Sequence, residues 1–289
     1  MRVVQGYKGS YIKDPIKKTQ LLASAWQWKK FNPEDQLILY CPEVDTKVAF
    51  DFQGGNPGPW DDICVLPDEA VYKLYDTGRY EIMAVQDEDF GWLDPDTLTF
   101  EKIPDVDPGK VDFIGYGNEG NLNFYPKRQE RWFRDFFSEF DYAYNYEEKA
   151  YNMGFFKTTA ELGVLIGLEC RKALDFFMRR GVKYWNPTDV RLHHFCSQAV
   201  PALVIDRFKK QYQELNSFFP SLDHPAVWHL VQPYVTMPDG DELWSAKRDR
   251  VRPVFWNKVF NYILEKKGIT WDEFVDFYLE HKDDTFNVV

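Results

Sequence analysis

Apolar residues recur along this chain with two periods, one typical of buried strands and one typical of helices. Residues 1–5 form a short apolar run that predicts a first strand, and the glycine-bearing segment 6–10 predicts a loop after it. From Lys17 to Phe31 apolar residues recur at helical spacing, and Asn32-Pro33 ends the pattern. The run from Leu37 to Cys41 predicts a second strand. A strand, a helix and a strand in this order predict a βαβ unit with parallel pairing.

The middle of the chain carries shorter patterns. Asp68 to Asp76 predicts a short helix, and the apolar run from Ile82 to Val85 predicts a third buried strand. Residues 93–120 are rich in Asp, Pro and Gly, which predicts an irregular stretch with short strands at most. Arg128 to Phe140 predicts a helix.

The second half of the chain is predicted to be mostly helical. Thr158 and Glu161 have capping-box spacing, so we expect a helix that runs to about Arg180 and stops at Gly181. The next patterns predict a helix at 197–216, with Pro201 in its first turn, and a strand at 227–235. Residues 253–282 predict two helices separated by Gly268. Thr270 and Glu273 have the spacing of a capping box at the start of the second of these helices.

Length and charge narrow the class of protein. The 289 residues are enough for one large or two small domains with a full core. Asp and Glu number 46 against 35 Lys and Arg, and the net charge of -11 repels polyanions, so a general DNA-binding surface is disfavoured. The aromatic share of 18% suits stacking clefts or an aromatic-rich core.

The cysteines and the hydropathy pattern indicate the cellular compartment in which the protein is expected. Cys41, Cys64, Cys170 and Cys196 are far apart and form no C-x-x-C pair, so we expect reduced thiols. The sequence has neither a signal-peptide pattern nor an apolar run long enough to span a membrane. We therefore expect a soluble, cytoplasmic protein.

The segment Gln86 to Phe90 carries the candidate chemistry, because Asp87 and Asp89 lie two residues apart at the end of the apolar run Ile82–Val85, with Gln86 between. If that run is a strand, both carboxylates can turn toward one hard cation at the carboxyl edge of a sheet, where open α/β sheets bind ligands. The alternative is a solvated loop, since D-x-D triplets are common in acidic proteins.

Several segments, taken in chain order, carry a resemblance to a known family. They are the first loop, the acidic pair, the segment Asn152-Met153-Gly154, Gln198 near a helix start, and His229 beside an apolar run. Over about residues 1–233, this ordered set resembles the GT-A glycosyltransferases, most closely the glycogenin and bacterial lipopolysaccharide galactosyltransferase group. The resemblance implies a Rossmann-like α/β fold with a mostly parallel central sheet flanked by helices.

The resemblance also implies a metal site. In that group an acidic pair and a later histidine hold a divalent metal on the diphosphate of a nucleotide sugar, which would make Asp87, Asp89 and His229 the ligands of Mn²⁺ or Mg²⁺ here. The group's histidine is commonly followed by Gly, Lys and Pro-Trp, whereas His229 is followed by Leu-Val-Gln-Pro, so His224 competes as the third ligand. A hydrogen-bonded core histidine is the alternative for His229.

The same resemblance assigns residues around the donor. Asn152 and Gln198 are the candidate catalytic residues, the first in the sugar pocket and the second near the anomeric carbon; Ser197 stands where the group has Asp before its Gln. The alternatives are a turn before a helix for residues 152–154 and a plain helix N-terminus for Gln198. The candidate donor-binding residues are Gly6, Tyr7, Tyr11 and Gly154, the tyrosines stacking on the base or lying half-buried in a loop.

A basic group within residues 247–252 could bind phosphates of donor or acceptor, or form a solvated loop. We divide the chain into a GT-A domain at residues 1–245 and a small helical C-terminal addition at 246–289. The expected function is metal-dependent transfer of a sugar from a nucleotide sugar with a uridine base to a glycan or other small acceptor. The resemblance to the galactosyltransferase group further implies retention of the anomeric configuration. The alternatives are a phage-type transferase that acts on a modified DNA base, and an inactive carbohydrate-binding or scaffolding relative.

Overall fold

The computed structural model has an α/β fold. It describes residues 1–6, 15–43, 58–66, 77–121, 130–142, 149–181, 195–208, 210–215, 225–230, 235–240, 242–243 and 253–282. The described strands are β1 Arg2–Gly6, β2 Gln36–Pro42, β3 Asp62–Leu66, β4 Phe90–Leu93, β5 Thr97–Thr99, β6 Phe113–Gly115, β7 Asn118–Asn121, β8 Lys149–Tyr151, β9 Phe155–Thr158, β10 Tyr212–Glu214, β11 Val227–His229, β12 Val235–Thr236 and β13 Glu242–Leu243. The described α-helices are α1 Pro15–Phe31, α2 Thr77–Ala84, α3 Glu130–Glu139, α4 Ala160–Arg179, α5 Val200–Arg207, α6 Pro253–Lys266 and α7 Trp271–His281.

Seven strands form the central sheet, in the order β10-β6-β9-β4-β1-β2-β3. β1 pairs in parallel with β2, and β2 pairs in parallel with β3, which confirms the predicted βαβ unit. β10 and β6 are also parallel, whereas β6 and β9 are antiparallel. The expected mostly parallel central sheet flanked by helices is confirmed.

One predicted strand is wrong. Ile82 to Val85 does not extend a sheet, because the chain from Thr77 to Ala84 is helix α2. In this helix Tyr80 and Met83, three residues apart, are buried, while Val85 just beyond its end is 66% exposed. A four-residue apolar run is too short to separate one helical turn from a strand by its own period. The predicted helix at 68–76 lies outside the described residues.

The helices of the second half largely follow their sequence signals. α4 ends before Gly181, which has the positive φ of 79° expected of a helix stop. Residues 197–216 are not one helix, because α5 ends at Arg207 and residues 212–214 pair with the central sheet as β10. The capping box of Thr270 and Glu273 is confirmed, with the Thr270 hydroxyl accepting from the Glu273 backbone N–H at 3.2 Å.

The chain divides into two compact units, one of residues 1–66, 91–105 and 215–289 and the other of residues 67–90 and 106–214. In the first unit, helices α6 and α7 share a buried core with β5 and β11, in which the Trp228 ring meets Trp256 at 5.4 Å and Phe274 at 5.7 Å. The buried Gln27 side chain in α1 donates to the Thr99 and Ile269 carbonyls, which ties this helix to the same core. The domain boundary proposed at residue 245 stays a prediction.

The second unit is built on aromatic residues of α3 and α4. Phe136 contacts Phe176 and Phe177 with ring centroids 5.6 and 6.0 Å apart, and Phe133 stacks on Phe195 at 4.5 Å. All of these rings are buried, so the high aromatic content of the chain serves packing in this unit. Among the described helices, none has the length and apolar character needed to cross a membrane.

Candidate active site

The chain leaves strand β4 through a tight turn that carries two carboxylates. The Thr97 backbone N–H donates to the Asp94 carbonyl at 3.1 Å, which closes a four-residue turn over Asp94-Pro95-Asp96-Thr97. Pro95 stands at the second position and Asp94 at the first, where β-turns favour these residues. The turn therefore presents Asp94 and Asp96 from the carboxyl end of a buried strand.

His229 reaches the same place from strand β11. β11 pairs antiparallel with β5, with His229 opposite Thr97, and the Leu230 backbone N–H donates to the Asp96 carbonyl at 2.7 Å. Successive side chains of a strand point to opposite faces. Because Trp228 is buried in the helical core, the imidazole of His229 lies on the other face of β11, toward the turn.

Asp94, Asp96 and His229 form one compact group, with one donor atom from each residue within 4.8 Å of the others. His229 Nε2 lies 3.2 Å from Asp96 Oδ1 and 3.8 Å from Asp94 Oδ2. The side chains of His229, Asp94 and Asp96 are 12%, 16% and 11% exposed, so the group is sheltered but reachable from solvent. Two carboxylates and one imidazole are donors that suit Mn²⁺ or Mg²⁺.

The Trp92 side chain donates a hydrogen bond to the carboxylate of Asp94. Its indole Nε1 donates to Asp94 Oδ1 at 2.7 Å, so the oxygen that faces His229 is the other one, Oδ2. The Trp92 ring is buried and lies directly against Gly6 at the end of β1: a Cβ on Gly6 would lie 2.5 Å from Cη2 of the indole. A larger residue at position 6 would therefore displace the ring.

A buried polar chain supports the backbone of the same turn. The Trp60 indole donates to Gln5 Oε1 at 3.0 Å, and Gln5 Nε2 donates to the Ser24 hydroxyl at 3.3 Å. The Ser24 hydroxyl in turn donates to the Thr97 carbonyl at 2.6 Å and lies 3.3 Å from the Asp94 carbonyl. Buried polar groups that are all paired fix a single arrangement, so these side chains define where the turn sits.

The sequence placed the paired carboxylates at Asp87 and Asp89 instead, on the premise that a strand precedes them. That premise is wrong, because helix α2 precedes them. Asp87 is exposed, and Asp89 Oδ1 accepts from the Ala160 backbone N–H at 2.9 Å, at the first residue of α4. In the described part of the chain, His229 groups with Asp94 and Asp96 rather than with these two residues.

Asp89 also replaces the expected capping box of α4. Thr159, rather than Thr158, is the N-cap residue, and its side chain makes no capping hydrogen bond. Asp89 supplies the acceptor from a distant part of the sequence, and a carboxylate at a helix N-terminus is additionally favoured by the helix dipole. The carboxylate of Asp89 therefore has a structural use.

We expect Asp89→Ala to lower the free energy of unfolding by about 1 kcal/mol, as loss of an N-cap does. Asp87→Ala, two residues away and exposed, is the matched control and should leave stability within about 0.5 kcal/mol of the wild type. Urea unfolding monitored by circular dichroism measures both. Equal stability of the two variants would show that Asp89 does not cap α4 in solution.

The segment Asn152 to Gly154 forms the turn between β8 and β9. Asn152 is 1% exposed, and its Oδ1 accepts from the Gly154 backbone N–H at 2.8 Å. Its backbone N–H donates to the Gly117 carbonyl at 2.8 Å. The segment thus joins two strands, whereas the alternative drawn from the sequence was a turn before a helix. A role in the sugar pocket stays a prediction.

Gln198 lies in a π-helical turn, Phe195–Ala199, which leads into α5. Phe195, Cys196, Ser197 and Ala199 are buried, so Gln198 is the one partly exposed residue of the turn. The Cys170 thiol donates to the Cys196 carbonyl at 3.0 Å and fixes this backbone from α4. Single π-helical turns are frequent at functional sites.

The remaining candidates are only partly covered by the structure. Gly6 ends β1, where it accommodates the Trp92 ring. Tyr7, Tyr11, His224 and the basic residues 247–252 lie outside the described residues.

Sequence reasoning missed Asp94, Asp96 and Trp92. The available signal was a second apolar run, Phe90-Gly91-Trp92-Leu93, followed directly by a second D-x-D triplet with proline between the carboxylates. The role of Trp92 could not be predicted from the sequence, because a tryptophan two residues before an aspartate is not a recognised motif.

No protein-family model matches this chain, and no curated protein matches it in sequence. A crystal structure of an active-site mutant of LgtC is 13% identical, with a TM-score of 0.50, and the match covers 95% of this chain and 99% of that one. Because it spans nearly all of both chains, this match shows that the two proteins share a fold, and the GT-A fold is confirmed.

Two other solved structures similar to this chain are those of glycosyltransferases. Mouse xyloside xylosyltransferase 1, in its apo form, is 13% identical with a TM-score of 0.40, over 74% of this chain and 84% of that one. The glycosyltransferase GlyE of Streptococcus pneumoniae TIGR4 is 13% identical with a TM-score of 0.45, over 97% of this chain and 63% of that one.

Proposed function

We propose that this protein is a metal-dependent glycosyltransferase that moves a hexose or pentose from a nucleotide sugar, with uridine as its base, to a glycan or other small acceptor. The observation that carries the proposal is the group of Asp94, Asp96 and His229 at the end of strand β4. The fold shared with LgtC supports it independently, because a carboxyl edge of an α/β sheet is where such folds bind ligands.

The donor set fits a divalent cation. Asp94 Oδ2, Asp96 Oδ1 and His229 Nε2 would hold Mn²⁺ or Mg²⁺, and three protein ligands leave coordination positions for diphosphate oxygens and water. When bound, the metal supplies Lewis acidity for the negative charge that develops on the departing diphosphate. This set replaces Asp87 and Asp89 in the proposed site and keeps His229.

The chain's own residues position these donors. The Trp92 indole donates to the Asp94 carboxylate, and the Ser24 hydroxyl donates to the Thr97 carbonyl of the turn. The strand pairing of Thr97 with His229 sets the distance between the imidazole and the turn. Prepositioned ligands bind a cation more tightly than mobile ones, because less conformational freedom is lost on binding.

Gln198 and Asn152 remain the proposed catalytic residues. The LgtC structure carries its active-site substitution at a glutamine, which supports a role for the partly exposed Gln198 at the π-helical turn. Gly6, Tyr7, Tyr11 and Gly154 remain the proposed donor-binding residues. Transfer with retention of the anomeric configuration is part of the same proposal and rests on the resemblance to the galactosyltransferase group.

A thermal-shift experiment tests this function. Uridine diphosphate and the acidic group are both anionic, so we expect the nucleotide to bind only when Mn²⁺ or Mg²⁺ lies between them. At a free nucleotide concentration of about one hundred times its Kd, binding adds about 2.7 kcal/mol of stability. That corresponds to a rise of about 5 °C in Tm for a chain of this size, and EDTA should abolish it.

The control is the same titration with adenosine diphosphate, which carries the same diphosphate on a different base. Equal shifts for both nucleotides would contradict the uridine assignment but keep the metal. A shift that persists in EDTA would contradict the metal dependence. Release of the sugar from a panel of uridine diphosphate sugars with Mn²⁺ then separates an active transferase from a binding protein.

A further inference from the structure

Asp94 has two carboxylate oxygens with different surroundings. Oδ1 accepts the indole N–H of Trp92 at 2.7 Å, while Oδ2 lies toward His229. A hydrogen bond from a neutral donor to a charged carboxylate is among the stronger side-chain bonds. The terminal torsion of an aspartate is broad, so a hydrogen bond to one carboxylate oxygen favours one orientation of the group.

The Trp92 ring is itself fixed in a tight space. It is 3% exposed, and a Cβ on Gly6 would lie 2.5, 3.2 and 3.4 Å from Cη2, Cζ2 and Cζ3 of the indole. Real Cβ atoms essentially never approach another heavy atom at the first of these distances. The absence of a side chain at position 6 therefore makes room for the ring, and the ring orients the carboxylate.

We propose that Trp92 is a positioning residue for the cation: it holds Oδ1 of Asp94 so that Oδ2 faces Asp96 and His229, and Gly6 provides the space for its ring. This inference rests on the proposed metal site and concerns what sets its affinity. Partners that orient metal ligands typically contribute ten- to a hundredfold to metal affinity. The effect of Trp92 should fall in that range.

The test compares Trp92→Phe with the wild type. Phenylalanine keeps a buried aromatic ring but has no N–H, so we expect Mn²⁺ affinity, measured from free Mn²⁺ by electron paramagnetic resonance, to fall about tenfold. Trp256→Phe is the matched control, because Trp256 is 1% exposed and its indole N–H has no partner in the described part of the chain. The control should lose stability yet keep the wild-type metal affinity.

A double-mutant cycle tests the part played by Gly6. In the wild type, Gly6→Ala should weaken Mn²⁺ binding, because its methyl group displaces the indole. In the Trp92→Phe background the same change should cost much less, since phenylalanine lacks the outer indole atoms that the methyl group would meet. The two effects should therefore be non-additive, as expected for residues in contact.

A spectroscopic readout reports the hydrogen bond directly. The indole ¹H–¹⁵N resonance of Trp92, identified by its loss in Trp92→Phe, should shift when Mg²⁺ is added to the wild type and stay in place in Asp94→Asn. The resonance of Trp256, identified in the same way, should not move in either protein.

Any of three results would overturn the positioning role of Trp92. The first is a Mn²⁺ affinity of Trp92→Phe within twofold of the wild type, and the second is an equal loss of Mn²⁺ affinity in Trp256→Phe. The third is a Trp92 indole resonance that does not shift when Mg²⁺ is added to the wild type. Additive effects of Gly6→Ala and Trp92→Phe on Mn²⁺ affinity would show that Gly6 does not act through the Trp92 ring. Failure of the proposed metal site gives a different result: the wild type would bind no Mn²⁺, or Asp94→Asn would bind Mn²⁺ as tightly as the wild type. Either result would also contradict the positioning role of Trp92.

Discussion

Asp94→Asn and Asp96→Asn should each weaken Mn²⁺-dependent binding of uridine diphosphate by at least about a hundredfold, or about 2.7 kcal/mol. Each change removes one negative charge from a site that depends on charge to attract a divalent cation, while the amide keeps the size and shape of the carboxylate. Calorimetric titration of uridine diphosphate with Mn²⁺ measures the loss. The Tm of each metal-free variant shows whether it is folded.

Asp87→Asn and Asp89→Asn are the decisive controls, because they carry the same substitution in the other D-x-D triplet. Both should bind the metal and the nucleotide within about twofold of the wild type, although Asp89 supports helix α4. His229→Ala should lose affinity and His224→Ala should not, since the imidazole of His229 lies 3.2 Å from Asp96. Loss confined to the Asp87 and Asp89 variants would restore the carboxylate pair assigned from the sequence, and loss in His224→Ala but not in His229→Ala would make His224 the third ligand.

The two triplets show what local sequence can and cannot decide. Each follows a short apolar run, and only the run that forms a strand delivers its carboxylates to a sheet edge. The run before Asp87 is the end of a helix because Tyr80 and Met83 are buried by other parts of the chain. Tertiary packing of this kind overrides local propensity in short segments.

Patterns with their own length and end signals were predicted well. The βαβ unit at the N-terminus, the long helix α4 and the capping box of α7 all have several agreeing signals within one segment. By contrast, the support for the Asp94 turn comes from residues 5, 24 and 60, which no local pattern connects. The sequence could thus predict a carboxylate pair and a histidine, but not which pair the histidine joins.

Gly167→Val should destabilise the fold strongly, with a loss of about 3 kcal/mol in the free energy of unfolding. Gly167 lies in α4 where this helix crosses α2, and a Cβ there would lie 2.9 Å from both the Met83 Cβ and the Tyr80 carbonyl oxygen. Backbone atoms cannot rotate away, so valine forces the two helices apart. A gain of about 0.5 kcal/mol in helix propensity over glycine is too small to offset this.

Leu168→Val is the matched control, because it places the same β-branched residue at the neighbouring position, where the side chain is 40% exposed. It should cost less than about 1 kcal/mol. Urea midpoints of the two variants, with the wild type measured beside them, give the comparison. Similar urea midpoints for Gly167→Val and the wild type would mean that residues 77–84 do not pack against α4 as a helix. The strand predicted from the sequence at Ile82 to Val85, with Asp87 and Asp89 after its end, would then have to be reconsidered.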